Sequence, residues 1–217
     1  MKITAHILSW VFLPLLMPIY GLILAMYVPS EPLITSYFES LYYFPPEAKE
    51  AILYMFFIFS ALAPGFSFYL LRKRKVINTI DMESQAERTI PMLIMLAYCL
   101  LLFLLFRYKF PNAQLPKYIY ALPLAGVFVT IIFSLINRWI KISLHAGGAG
   151  ILTGFILAYA MDQLYFQFWI LIFAIVASGL TIAARLYLNK HTPKEVYTGW
   201  SLAVFITFTI DYFYPIT

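Results

Sequence analysis

Cysteine is almost missing from this chain: Cys99 is the single one in 217 residues, so no intrachain disulfide can form. The count says nothing about compartment. Charge is scarce too. Asp, Glu, Lys and Arg make up 12% of the sequence, where a soluble domain carries about a quarter. In their place stand 63% hydrophobic residues and a mean hydropathy of +0.83. No polar stretch between the apolar runs is long enough to fold as a soluble domain. No GxxxxGK[ST] pattern occurs, which removes a Walker-type nucleotide loop. The net charge of +5 is distributed around apolar runs and is not a nucleic-acid footprint.

What is present is a series of long apolar runs, the signature of an all-α, polytopic helical membrane protein. Seven spans are expected in one integral membrane domain over 1–217. The first covers about Ile3 to Val28; it is too long for a signal peptide, and Pro14 and Pro18 should kink it. The second runs from about Ala51 to Leu71 with a kink at Pro64-Gly65, and ends on the basic cluster Arg72-Lys73-Arg74-Lys75. The third and fourth cover about Thr89 to Phe106 and Tyr118 to Ile136. The fifth opens after Lys141 and ends near Met161, with Gly147, Gly148 and Gly150 suited to close helix packing. The last two are about Phe166 to Leu186 and Val196 to Tyr214. His6 reads as an interfacial residue, and the 20 Phe, 17 Tyr and 4 Trp as membrane belts and lipid-facing packing.

Three polar islands interrupt this pattern: Asp81 to Pro91, Lys141 to Gly150, and Arg185 to Glu195. In the last, Thr192-Pro193-Lys194-Glu195 reads as an N-cap, a proline at the first helical position and the Glu of a capping box. That accounts for Thr192, Pro193 and Glu195 but not for Arg185 or His191. A guanidinium beside an imidazole at a helix start suits a phosphate, and imidazole can attack phosphorus when a carboxylate holds its far nitrogen. Two spans separate Arg88 from His145, and two more separate His145 from His191. Even numbers of crossings return the chain to the same face. Arg88, Ser143, His145, Arg185, His191 and Glu195 should therefore share one membrane surface. Of the 15 basic residues, 11 fall on that side and 4 on the other, so the positive-inside rule puts the islands in the cytoplasm and the C-terminus outside. A bacterial inner membrane is the expected location.

The islands resemble, in order and spacing, the three-part signature of the type 2 phosphatidic acid phosphatase superfamily. That superfamily takes in membrane lipid phosphatases, soluble acid phosphatases and vanadium haloperoxidases. Its last motif is Ser-Arg, five residues, His, three residues, Asp; here Ala184-Arg185 leads through five residues to His191 and three more to Glu195. Its middle motif, Pro-Ser-Gly-His, corresponds to Ile142-Ser143-Leu144-His145. Its first, Lys, six residues, Arg-Pro, corresponds to Asp81, six residues and Arg88, with proline displaced to Pro91. The resemblance covers about Asp81 to Trp200 within a motif-bearing core of about 81–214, and implies a six-helix phosphatase-like bundle.

It also implies a phosphohydrolase that needs neither metal nor cofactor and works through a phosphohistidine. His191 would be the nucleophile, Glu195 its orienting carboxylate and His145 the acid for the leaving alkoxide. Arg88, Ser143 and Arg185 would hold the phosphoryl oxygens, preorganised donors worth ~3–4 kcal/mol each in other enzymes. The partner implied is a lipid phosphate reaching the site sideways from the bilayer. Phosphatidic acid, phosphatidylglycerol phosphate and isoprenyl phosphates or diphosphates would all present a phosphate at that depth, so the hydrolysis implied is of a phosphomonoester or a diphosphate. The departures are Asp81 in the lysine position, Ile142 and Leu144 for the loop Pro and Gly, and Glu195 for Asp. They make a catalytically weak relative, acting as a lipid-binding or structural subunit, the competing class. Whether Asp81 points into the pocket of Arg88, His145 and His191 would separate the two. A Mg²⁺–diphosphate prenyltransferase is excluded, because Asp81, Glu83 and Glu87 have no second acidic cluster to work with. A transporter fits poorly, since the runs hold few ionisable residues and show no inverted repeat.

Overall fold

The computed structural model describes residues 2–33, 40–79, 82, 84–110 and 115–215. Five of its helices are long and apolar enough to cross a bilayer, and the protein is an all-α helical membrane protein.

The expected first span is not one kinked helix. It is two, α1 (Lys2–Val11) and α2 (Met17–Tyr27), neither long enough to cross alone. Pro14 and Pro18 each remove a backbone donor and crowd the preceding turn, and together they break the helix where one would bend it. The second run begins earlier than its apolar composition suggests. Helix α3 (Pro46–Phe56) continues through a π-wound stretch, Phe57–Leu62, into α4 (Ala63–Lys73), one rod of 28 residues. The widened turn lies immediately before Pro64, whose missing N–H and bulky ring a regular α-turn would not accommodate.

The remaining spans are α5 (Gln85–Lys109), α6 (Lys117–Ile136), α7 (Leu144–Met161) and α8 (Phe168–Tyr187). The last expected run is the 21-residue α9 (Pro193–Phe213), which carries Lys194, Glu195 and Asp211 and falls outside the five apolar spans. Two short antiparallel strands, β1 (Glu31–Pro32) and β2 (Gln163–Tyr165), tie the chain after α2 to the end of α7.

Helix α7 is the axis of the bundle, packed by α9, α8, α2 and α6. Its glycines make this possible. A Cβ on Gly150 would lie 2.5 Å from the Trp200 carbonyl oxygen of α9, and one on Gly154 2.6 Å from that of Val204. Gly147 seats the Phe133 ring, and Gly148 takes the Pro14 backbone, with 2.5 Å from its ideal Cβ to Pro14 Cα. Small residues thus let backbones touch where lipid supplies no hydrophobic drive for helix association. Gly150→Ala should cost about 1–3 kcal/mol, because the obstacle is backbone and has no rotamer to change. Gly65→Ala, with nothing within 4 Å, is the control. Thermal unfolding in detergent should show a lower Tm for the first variant alone; equal Tm values would refute the close seam.

At the end of the bundle opposite the islands, Lys117 Nζ lies 2.6 Å from Asp162 Oδ2 and donates to the Tyr212 carbonyl at 3.0 Å. The Tyr118 hydroxyl donates to the same carboxylate. This clamp joins α6, α7 and α9 at one end, and the islands join them at the other.

Candidate functional site

The third island holds a five-residue joint, Leu188 to Thr192, between two well-formed helix ends. Helix α8 stops in a Schellman motif: Asn189 adopts a left-handed φ of 53°, Lys190 N–H donates to Arg185 O at 3.1 Å, and Asn189 N–H to Leu186 O at 3.0 Å. Helix α9 starts with the capping box expected from its sequence, Glu195 N–H on Thr192 Oγ1 at 3.4 Å and Thr192 N–H on Glu195 Oε2 at 3.2 Å. His191 is fixed between the two. Replacing Asn189 with alanine should cost about 1 kcal/mol, the left-handed penalty for a residue with a Cβ and no polar compensation. Glycine there should be neutral or stabilising, and a Tm series of the two variants checks the sign.

Glu195 serves twice. The carboxylate oxygen that accepts from the Thr192 backbone also lies 2.8 Å from His191 Nδ1. A carboxylate only accepts, so Nδ1 carries the proton and the lone pair is left on Nε2. Burial pushes the His191 imidazole below the ordinary histidine range, to about 4; the hydrogen bond to Glu195 opposes this, and the Arg88 and Arg185 charges add to it. The ring is therefore neutral at neutral pH.

The three islands are bonded to one another. Arg88, in the first turn of α5 behind the N-cap Ser84, donates from Nε to Met82 O at 3.0 Å and from one terminal nitrogen to Ile142 O. Ser143 N–H donates to Glu195 O at 3.3 Å, and Lys141 Nζ to Lys190 O at 3.2 Å. Gly199 of α9 leaves room for the Ser143 backbone, since a Cβ there would lie 2.9 Å from Ser143 O. The segment before α7 is thus held against the first two turns of α9 through backbone contacts.

Arg88, His145, Arg185 and His191 line one cavity of about 320 Å³. Arg88 is 2% exposed, Arg185 3% and His191 8%, so the cationic end is buried. The first turn of α7, with Leu144 and His145 on the wall, turns the positive end of its helix dipole to the same place. The rest of the wall is mostly apolar, from Leu13 and Pro14 round to Phe68, Met92, Phe133 and Ile151, with His6, Ser9, Arg72, Thr79 and Thr130 set into it.

Ser143 is placed differently from its expected role. Its hydroxyl is the N-cap of α7, accepting from Ala146 N–H at 3.4 Å, and Ser143 is not on the cavity wall. Glu195 also stands off the wall, behind His191. Asp81 lies outside the described residues. Sequence reading missed two wall residues: His6, read as interfacial, and Arg72, read as part of a surface cluster. The crossing count that puts the islands on one face also puts His6 and Arg72 there, and was the available signal. Among the described residues, no group of three or more His, Cys, Asp or Glu side chains is placed to hold a metal ion.

Compared with protein-family models, with curated proteins and with solved structures, the chain matches none.

Proposed function

We propose that this protein is a membrane lipid-phosphate phosphohydrolase that works through a phosphohistidine without a metal ion. The observation that carries the reading is one cavity lined by the two buried guanidinium groups of Arg88 and Arg185 and by His145 and His191, with mostly apolar side chains over the rest of its wall. An anionic head group with a hydrocarbon tail is the ligand complementary to both parts.

In this reading the Nε2 lone pair of neutral His191 attacks phosphorus as the ester P–O bond breaks. His145 gives its proton to the departing alkoxide, and Arg88 and Arg185 hold the phosphoryl oxygens as charge builds on them. Water then attacks the N–P bond, with His145 taking back a proton, and phosphate and free His191 result. Glu195 keeps the proton on Nδ1 throughout. Ser143 serves by capping α7, which orients His145. The basic residues on the island side favour a site at the cytoplasmic face.

A second reading is favoured by one specific contact. Arg88 directs two of its N–H groups to the backbone oxygens of Met82 and Ile142. That is the behaviour of a strut, and a strut would suit a lipid-binding or structural subunit. Phosphate release from a panel of lipid phosphates, with purified protein and EDTA present, tests the two. Metal-independent release supports the hydrolase; no release from any lipid supports the binder.

A further inference from the structure

Six helices wall the cavity: α1, α4, α5, α6, α7 and α8. Around that ring α4 packs on α5, α5 on α6, α6 on α7, α7 on α8, and α8 on α1. Among the described residues the remaining pair around the ring, α1 and α4, has no extensive interface. The other five seams of the ring are packed more closely than this one.

The two sides of the seam match each other in chemistry. Helix α1 contributes His6 and Trp10 to the wall, and α4 contributes Phe68 and Arg72. Each pair is spaced i, i+4, so its members stand one above the other on a single helix face. Helix α1 runs away from the island face while α4 runs towards it. His6 and Arg72 therefore form the rung nearer that face, and Trp10 and Phe68 the rung nearer the middle of the bilayer. Arg72 and His6 are exposed, and Trp10 is 61% exposed although it lines the cavity. The cations inside, Arg88 and Arg185, are buried. A ligand sliding in from the side meets a polar rung level with its head group, an aromatic rung level with its chain, and stronger confinement of charge further in.

We infer that the α1–α4 seam is the portal by which a bilayer lipid brings its phosphate to the cavity, and that Arg72 is the rim cation that receives the head group. This rests on the lipid-phosphate reading of the site. It also gives the N-terminal helices, which lie outside the three islands, a direct part in substrate capture. Pro14, seated against Gly148 three residues beyond His145, anchors the far end of α1 to the catalytic helix.

The test uses the full chain in nanodiscs with a phosphatidic acid analogue carrying a diazirine near the top of one acyl chain. Adducts are expected on the α1 and α4 peptides, competed by unlabelled phosphatidic acid and not by diacylglycerol. Adducts on another seam, or labelling that diacylglycerol competes equally, would overturn the portal. Kinetics address Arg72 separately. Arg72→Gln should raise KM for phosphatidic acid about fivefold, as for an exposed ion pair, with kcat kept, and Arg72→Lys should recover most of it. A fall in kcat at unchanged KM would overturn the rim role. If no lipid phosphate is hydrolysed at all, the hydrolase reading fails, and the adduct map alone decides the portal.

Discussion

Replacing His191 with alanine should reduce phosphate release by about 10⁴-fold or more, the scale on which loss of a covalent nucleophile is felt in other enzymes. The fold should survive. His191 lies in the joint between α8 and α9, outside both helices, and the Glu195 oxygen that it bonds keeps the Thr192 N–H as a partner. The cost in stability is then about one hydrogen bond, ~1 kcal/mol. Purified wild-type and variant protein, assayed with EDTA and matched by Tm, give the comparison. Brief incubation with a ³²P-labelled lipid phosphate adds a second readout, since a phosphohistidine is labile to acid and stable to base. Label should be held by the wild type and absent from the variant. Turnover that persists in His191→Ala would end the phosphohistidine assignment, whatever the substrate. His145→Ala separates the roles: it should slow release by about 10²–10⁴-fold, as for loss of a general acid. It should still trap label wherever the leaving group departs without a proton.

How much of this was legible in the sequence depends on the range of the interaction involved. The start of α9 was readable because a capping box is written within four residues, Thr192 to Glu195. The grouping of Arg88, His145, Arg185 and His191 was readable because helix crossings are counted from apolar runs, and only parity matters. The break between α1 and α2 was not, since prolines inside a membrane run bend some helices and end others, and packing against Gly148 decides. The π-wound stretch before Pro64 is likewise a backbone response with no residue code of its own. A serine before a helix reads as a ligand or a cap, and the structure gives Ser143 the cap, with Ala146 N–H 3.4 Å from its hydroxyl oxygen. Nothing local announces the Lys117–Asp162 clamp, and nothing in α1 or α4 alone says that both line one cavity. Those facts belong to tertiary packing, where His6 and Arg72 acquired their place on the cavity wall.

Glu195→Gln isolates the charge behind His191 from the helix start that the same side chain builds. Glutamine serves in a capping box as glutamate does, so α9 should begin where it now does and Tm should change little. Alanine would remove both functions and confuse them. With glutamine, the side chain can present either its oxygen or its NH₂ to Nδ1. The second choice favours the tautomer with the proton on Nε2, where the lone pair is needed. Turnover should fall about 10²–10⁴-fold, within the range seen when an orienting carboxylate is made neutral elsewhere. The pH profile should move as well, in a direction the geometry fixes. His191 attacks as the neutral ring, so kcat/KM should fall as pH drops through its value, near 4 in the wild type. The hydrogen bond and charge of Glu195 hold that value up against burial and the two arginines. Neutralising Glu195 should carry the acid limb lower still. Stability obeys the same sign: the folded value is below the unfolded one, so this group's contribution is whole above about 6.5 and is lost as pH falls through about 4. A variant with full activity, or with its acid limb moved towards neutral pH, would show that Glu195 only caps α9 and leaves the chemistry of His191 untouched.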